Sequence, residues 1–137
     1  MKRLLGIDFG ERRIGIALSD ESMVFSSPYI TIDVKKTPDY FKKIHKIIGD
    51  KQVTKIVIGN PLNVEGQDTH KSKTIKQFAD KLANLIEVPI VFWDETHTTL
   101  KAKEILKLNK KSLKKHKKEL DKIAASLMLE DYMQHSS

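Results

Sequence analysis

Apolar residues come in short blocks through the first third of the chain and then fall at helical spacing. Leu4-Leu5-Gly6-Ile7-Asp8-Phe9 reads as a buried strand and Ile14-Gly15-Ile16-Ala17-Leu18 as a second, joined through residues 10–13 into a hairpin. After a polar turn at 19–22, a third strand is expected over 24–32, where Tyr29, Ile30, Thr31 and Ile32 favour extended backbone. Thr37 and Pro38 predict a helix start, as N-cap and first helical residue. Tyr40, Phe41, Ile44, Ile47 and Ile48 follow at helical spacing, with Gly49 as the stop.

Residues 53–58 predict a fourth strand, broken by Gly59-Asn60-Pro61. Asp68 or Thr69 caps the next helix, whose apolar face is marked by Ile75, Phe78, Ala79, Leu82, Ala83 and Ile86. A fifth strand over 89–93 ends at Asp94-Glu95, and helices are expected over 98–108 and 119–133. The order is βββαβαβα. Tight turns make neighbouring strands antiparallel, whereas intervening helices make them parallel. The expectation is an α/β fold, a five-stranded mixed sheet with helices on both faces, in one domain over 1–137.

The chain of 137 residues is 39% apolar and 31% charged, ordinary for a globular protein. It has no cysteine, which excludes disulfides, thiolate metal sites and cysteine nucleophiles. No stretch approaches the roughly 18–20 apolar residues of a membrane span, and residues 1–8 hold no signal-peptide core. A cytoplasmic protein without membrane contact is expected.

The net charge of +7 is concentrated. Residues 101–122 contain ten lysines against three carboxylates, and the rest of the chain is neutral. Such a patch suits a polyanion such as nucleic acid, through phosphate neutralisation and counterion release. A solvated basic loop without a ligand is the plainer explanation.

Candidate chemistry sits at strand ends. Asp8 closes the first strand among apolar neighbours, where a carboxylate is costly unless paired. It either caps the following turn, pairs with Arg12 or Arg13, or serves a site. Asp94-Glu95 closes the fifth strand, where ligands gather in open α/β sheets; a helix cap is the alternative. Asp121 opens the last helix, again as a dipole-favoured carboxylate or a site residue. Carboxylates meeting from separated segments are what a hard divalent ion needs, and two such ions support phosphodiester hydrolysis. His97, two residues past Glu95, is a candidate proton shuttle. The loop from Gly59 to Gly66, with Asn60 and Asn63, is either a phosphate cradle or a plain connection.

Four segments together carry a resemblance. Gly6-Ile7-Asp8-Phe9-Gly10 with Arg12-Arg13-Ile14-Gly15-Ile16-Ala17, Val57-Ile58-Gly59-Asn60-Pro61-Leu62-Asn63 with Gly66, Asp94-Glu95-Thr96-His97-Thr98-Thr99, and Asp121-Lys122-Ile123-Ala124-Ala125 with Leu129-Glu130-Asp131-Tyr132 stand in this order. They resemble the YqgF/RuvX family of pre-16S rRNA nuclease and Holliday junction resolvase-like proteins. The resemblance implies a ribonuclease H-like fold and a nuclease dependent on Mg²⁺ or Mn²⁺. It implies Asp8, Glu95 and Asp121 as catalytic residues and metal ligands; Asp94 and His97 are candidate accessories from the chain's own pattern. The family's role is processing the 5′ end of precursor 16S ribosomal RNA, with resolution of four-way DNA junctions inferred earlier. Three positions depart from the family pattern: Thr96-His97 replaces Arg-Leu, and Asn60 replaces an apolar residue.

The expected partner is nucleic acid, structured RNA first and branched DNA second. Arg12, Arg13, Asn60, Asn63, Lys110, Lys111, Lys114, Lys115, Lys117 and Lys118 are the expected contacts, holding the backbone away from the cleavage point. A junction resolvase requires a symmetric dimer, which the sequence does not reveal. A nucleic-acid-binding factor without catalysis is the reading from another class.

Overall fold

A computed structural model describes residues 2–60, 69–94 and 117–135. Glu95, His97, Asn63, Lys110, Lys111, Lys114, Lys115 and the helix expected over 98–108 lie outside the described residues. Five strands appear as expected: β1 (Arg3–Phe9), β2 (Arg13–Ser19), β3 (Ser26–Asp33), β4 (Val53–Gly59) and β5 (Ile90–Trp93). They form one sheet in the order β3-β2-β1-β4-β5. The β1–β2 and β2–β3 pairs are antiparallel, while β1–β4 and β4–β5 are parallel. Strands β1, β4 and β5 therefore run the same way, and Asp8 and Asp94 stand at one edge of the sheet.

The pleat sorts the side chains into two cores. Leu5, Ile7 and Phe9 of β1, Ile14 and Ile16 of β2 and Ile56 and Ile58 of β4 face one side. Two helices cover them, α1 (Tyr40–Asp50) and α2 (His70–Ala83). Phe9 stacks on Phe78 at 4.2 Å between ring centroids, and Ile44, Ile75 and Leu82 are fully buried. Each such side chain contributes about 1.5–3 kcal/mol through burial.

Helix α2 begins as the sequence predicts. The Thr69 hydroxyl accepts from the Ser72 amide at 3.1 Å, and the Ser72 hydroxyl accepts from the Thr69 amide at 2.8 Å. Helix α1 starts later than expected, at Tyr40 after Asp39, with no side-chain capping bond, so Thr37 and Pro38 belong to the preceding turn. It also runs through Gly49 to Asp50. Gly49 has open space around its Cα, so no packing constraint ends the helix there.

The other face carries Leu4, Ala17 and Val57 and is covered by α3 (Lys117–His135) alone among the described helices. This helix crosses every strand. The Thr31 hydroxyl of β3 donates to the Lys118 carbonyl, and the Ser26 hydroxyl donates to the Ser126 carbonyl at 2.7 Å. Tyr132 meets Lys55 of β4, and Trp93 Nε1 of β5 donates to Asp131 Oδ2 at 2.7 Å. A helix of 19 residues is about 28 Å long, more than the roughly 19 Å across five strands.

Between those anchors α3 runs over glycine. A Cβ on Gly15 would lie 2.2 Å from the Asp121 carbonyl oxygen, and one on Gly6 would lie 3.0 Å from Leu129 Cβ. Both glycines are there because helix backbone occupies the space a side chain needs. Gly15→Ala is expected to lower unfolding free energy by about 1–3 kcal/mol, the usual range for overpacking. Gly6→Ala should cost less, because its nearest contact would be 3.0 Å rather than 2.2 Å. Urea midpoints of the two variants check this; equal midpoints, or a neutral Gly15→Ala, would contradict the seating of α3.

Candidate active site

Asp8 lies on the α3 face of β1, since it alternates with Leu4 and Gly6 and stands opposite Gly15 of β2. Gly15 is the residue on which Asp121 rests. The two carboxylates therefore arrive together from positions 113 residues apart in sequence. Asp121 sits one turn inside α3, because the helix starts at Lys117 rather than beside it.

Arg13, the first residue of β2, completes the cluster. Its Nε donates to Asp121 Oδ2 at 2.7 Å. The side chains are only 22% and 25% exposed, so solvent screens this pair less than a surface one. The sequence left open a pairing of Arg13 with Asp8 and expected it to hold nucleic acid away from the cleavage point. In the structure it is bonded to a carboxylate of the acidic cluster. Burial pushes the Asp121 carboxyl above the ordinary aspartate value; the Arg13 bond and charge pull it down, Asp8 pushes it up, and Lys71 pulls it down. The net displacement is upward.

Lys71 was not among the residues the sequence singled out. It belongs to the first turn of α2, which the parallel crossover from β4 brings to the same sheet edge. A cleft of about 290 Å³ opens there, lined by Phe9, Gly10, Glu11, His70, Lys71 and Thr74. The signal was available in principle: the helix after a parallel strand starts at the ligand edge, so its first-turn cations face that edge.

The remaining expected residues distribute as follows. Asp94 follows β5 and is exposed. Asn60 follows β4, donates its amide to the Trp93 carbonyl at 2.8 Å and is 7% exposed. Its side-chain Oδ1 is buried without a hydrogen-bond partner among the described residues, so it is an orphaned oxygen at the edge that carries Asp8 and Asp94. Arg12 is exposed at the β1–β2 turn. Lys117 and Lys118 are exposed on the first turn of α3. Lys118 lies toward β3, where Asp33 is held below the ordinary aspartate range chiefly by the Lys36 backbone N–H, with the Lys35 N–H and the Lys36 and Lys118 charges adding to it. Among the described residues no group of three acidic or histidine side chains forms a ready metal cage. No described helix is long and apolar enough to cross a membrane.

Residues 2–135 match the family model described as RuvX, Holliday junction resolvase. A protein named "Putative pre-16S rRNA nuclease" from Roseiflexus sp. (strain RS-1) is 37% identical over 131 residues, covering 96% of this chain and 93% of that one. A protein of the same name from Caldanaerobacter subterraneus subsp. tengcongensis is 36% identical over 132 residues, covering 96% and 95%. Among solved structures, RuvC of T. thermophilus in complex with Holliday junction substrate is similar with a TM-score of 0.56 at 11% identity, covering 98% of this chain and 96% of that one. Fowlpox virus resolvase with substrate Holliday junction DNA gives 0.55 at 14%, covering 96% and 97%. These likenesses show the expected fold, ribonuclease H-like.

The upward displacement of Asp121 has a defined sign in stability. The folded metal-free protein holds this proton more tightly than the unfolded chain. The contribution is therefore fully present below the ordinary aspartate value and is lost as pH rises through the raised one. In EDTA, the unfolding free energy of wild type minus that of Asp121→Asn is expected to fall as pH rises above the ordinary aspartate value. Denaturant titrations across a pH series check it; a difference that rises with pH would mean that Arg13 outweighs burial.

Proposed function

The chain belongs to the RuvX family, and from that premise we propose that it is a divalent-metal-dependent nuclease, working in the cytoplasm on the 5′ end of precursor 16S ribosomal RNA. The observation that carries this reading is the convergence of Asp8 and Asp121 at the carboxyl edge of the parallel strands, beside Arg13. Two like charges held together at a partly buried site repel, as the effect of Asp8 on Asp121 records. That arrangement is stabilised by a cation. The donors are hard oxygens, and Asn60 Oδ1 adds one at the same edge that has no hydrogen-bond partner among the described residues. This set fits Mg²⁺ or Mn²⁺.

Asp8, Glu95 and Asp121 would hold the metal. A bound divalent ion supplies polarisation of the phosphodiester and a lowered pKa for the attacking water. The chain's own residues do the rest. Asp8 and Asp121 fix the position of the charge, one from a strand interior and one from a helix seated on backbone, so neither has freedom to drift. Hydrolysis adds water across one P–O bond: the water oxygen bonds to phosphorus, the bond to the leaving oxygen breaks, and that oxygen takes up a proton. His97 is the candidate to move that proton. Arg12, Asn63, Lys110, Lys111, Lys114, Lys115, Lys117 and Lys118 hold backbone phosphates, with Lys71 facing the cleft beside Asp8.

Resolution of a four-way DNA junction is the second reading, and the likeness to two resolvases solved with junction DNA favours it. RNA stands first because relatives at 36–37% identity carry the pre-16S name. The test is cleavage of end-labelled precursor 16S rRNA and of a four-way junction, with Mg²⁺, Mn²⁺ or EDTA. Metal-dependent cutting of the RNA is expected, and Asp8→Asn and Asp121→Asn should each slow it at least about 100-fold. Preferential cutting of the junction by a dimer would establish the second reading. Tight binding in EDTA with neither substrate cut would make the protein a binding factor.

A further inference from the structure

Arg13 uses little of its hydrogen-bonding capacity on Asp121. A guanidinium carries five N–H donors, and when its only task is to neutralise a carboxylate the two-pronged fork is the favoured geometry. Among the described residues only Nε bonds, and only to Oδ2. The terminal nitrogens Nη1 and Nη2 hydrogen-bond none of the described residues, and neither does Asp121 Oδ1. The guanidinium is nevertheless held firmly, three-quarters buried on a strand whose neighbour Gly15 lies under α3. The result is an ordered cation whose outer edge, like Asp121 Oδ1, bonds none of the described residues, one bond away from the acidic pair.

The geometry points to Arg13 as the residue that grips the scissile phosphate, its Nη1–Nη2 edge donating to nonbridging oxygens while its Nε holds Asp121 with Oδ1 left for the metal. This deepens the nuclease reading and rests on it. The residue types support the division of labour. Next to the acidic segment the chain has Thr96, which carries no charge, so a fixed cation for the transition state has to come from elsewhere. A lysine would offer one compact charge; arginine offers two parallel donors that match two phosphate oxygens and a third for the carboxylate.

Arg13→Gln and Arg13→Lys separate this role from that of a structural ion pair. Binding of a fluorescein-labelled duplex RNA is followed by anisotropy across a salt series, with Ca²⁺ in place of Mg²⁺ so that the acidic residues are neutralised and turnover is suppressed. One phosphate contact is worth about 0.7–0.9 in the slope of log K against log salt. Arg13→Gln is expected to lose that amount, to lose about 100-fold in kcat with Mg²⁺, and to bind Mn²⁺ no more weakly by calorimetry on the protein alone. Arg13→Lys should keep the slope, keep Mn²⁺ affinity and fall between the two in kcat.

An unchanged slope in Arg13→Gln, with weaker Mn²⁺ binding and a lower urea midpoint, would reduce Arg13 to a partner of Asp121 and overturn the inference. Should Arg13→Gln fail to fold, the lysine variant decides: full wild-type kcat overturns the role, and lowered kcat at unchanged Mn²⁺ affinity upholds it. A wild type that cuts neither RNA nor junction refutes the nuclease reading. The Ca²⁺ slope still decides whether Arg13 touches phosphate.

Discussion

Everything at this site depends on a close approach between two stretches of backbone. Helix α3 lies against β2 at Gly15 so tightly that a methyl group there would sit inside the Asp121 carbonyl. From that contact the rest follows. Asp121 is set beside Asp8 because Gly15 and Asp8 are partners across the hairpin. Arg13, two residues before Gly15 on the same face of β2, reaches the Asp121 carboxylate without bending the strand. At its far end α3 is pinned by Trp93 and Tyr132 to the strands whose ends carry Asn60 and Asp94. One helix thus spans the sheet and ties the acidic edge together.

The arrangement is a compromise between stability and chemistry. The α1–α2 face is apolar throughout and packs aromatic rings against β1. The α3 face has a smaller apolar cluster and gives over its upper end to charges that repel. Arg13 offsets part of that repulsion through its bond to Asp121. The metal-free protein therefore holds two carboxylates nearer than they would choose, as in other folds where function draws on a reserve of stability.

The element order and the sheet were legible because each strand and helix reports its own period locally. Ile75, Phe78, Ala79 and Leu82 announce α2 whatever surrounds them. Boundaries were less so: Thr37-Pro38 has the chemistry of a helix start, yet the turn after β3 claims those residues and Tyr40 begins the helix. Asp8 and Asp121 were legible as carboxylates in unusual places, and the family resemblance said that they belong together. The bond from Arg13 to Asp121 was not legible, since it links residues 108 apart and exists only once α3 has docked. Lys71 could have been found from the element order alone, because α2 begins at the carboxyl edge of β4, while Lys118 of the expected nucleic-acid patch starts α3 beside β3.

The dependence on α3 also orders events during synthesis. By residue 90 a growing chain contains every side chain of the larger core, and so has what it needs to begin burying that face of the sheet. The acidic edge has no such head start. Its second carboxylate, and the helix that brings it there, are translated more than two dozen residues later. A nascent chain on the ribosome can thus close its larger core before the acidic edge exists, and Asp8 gains its partner carboxylate only with the last described helix.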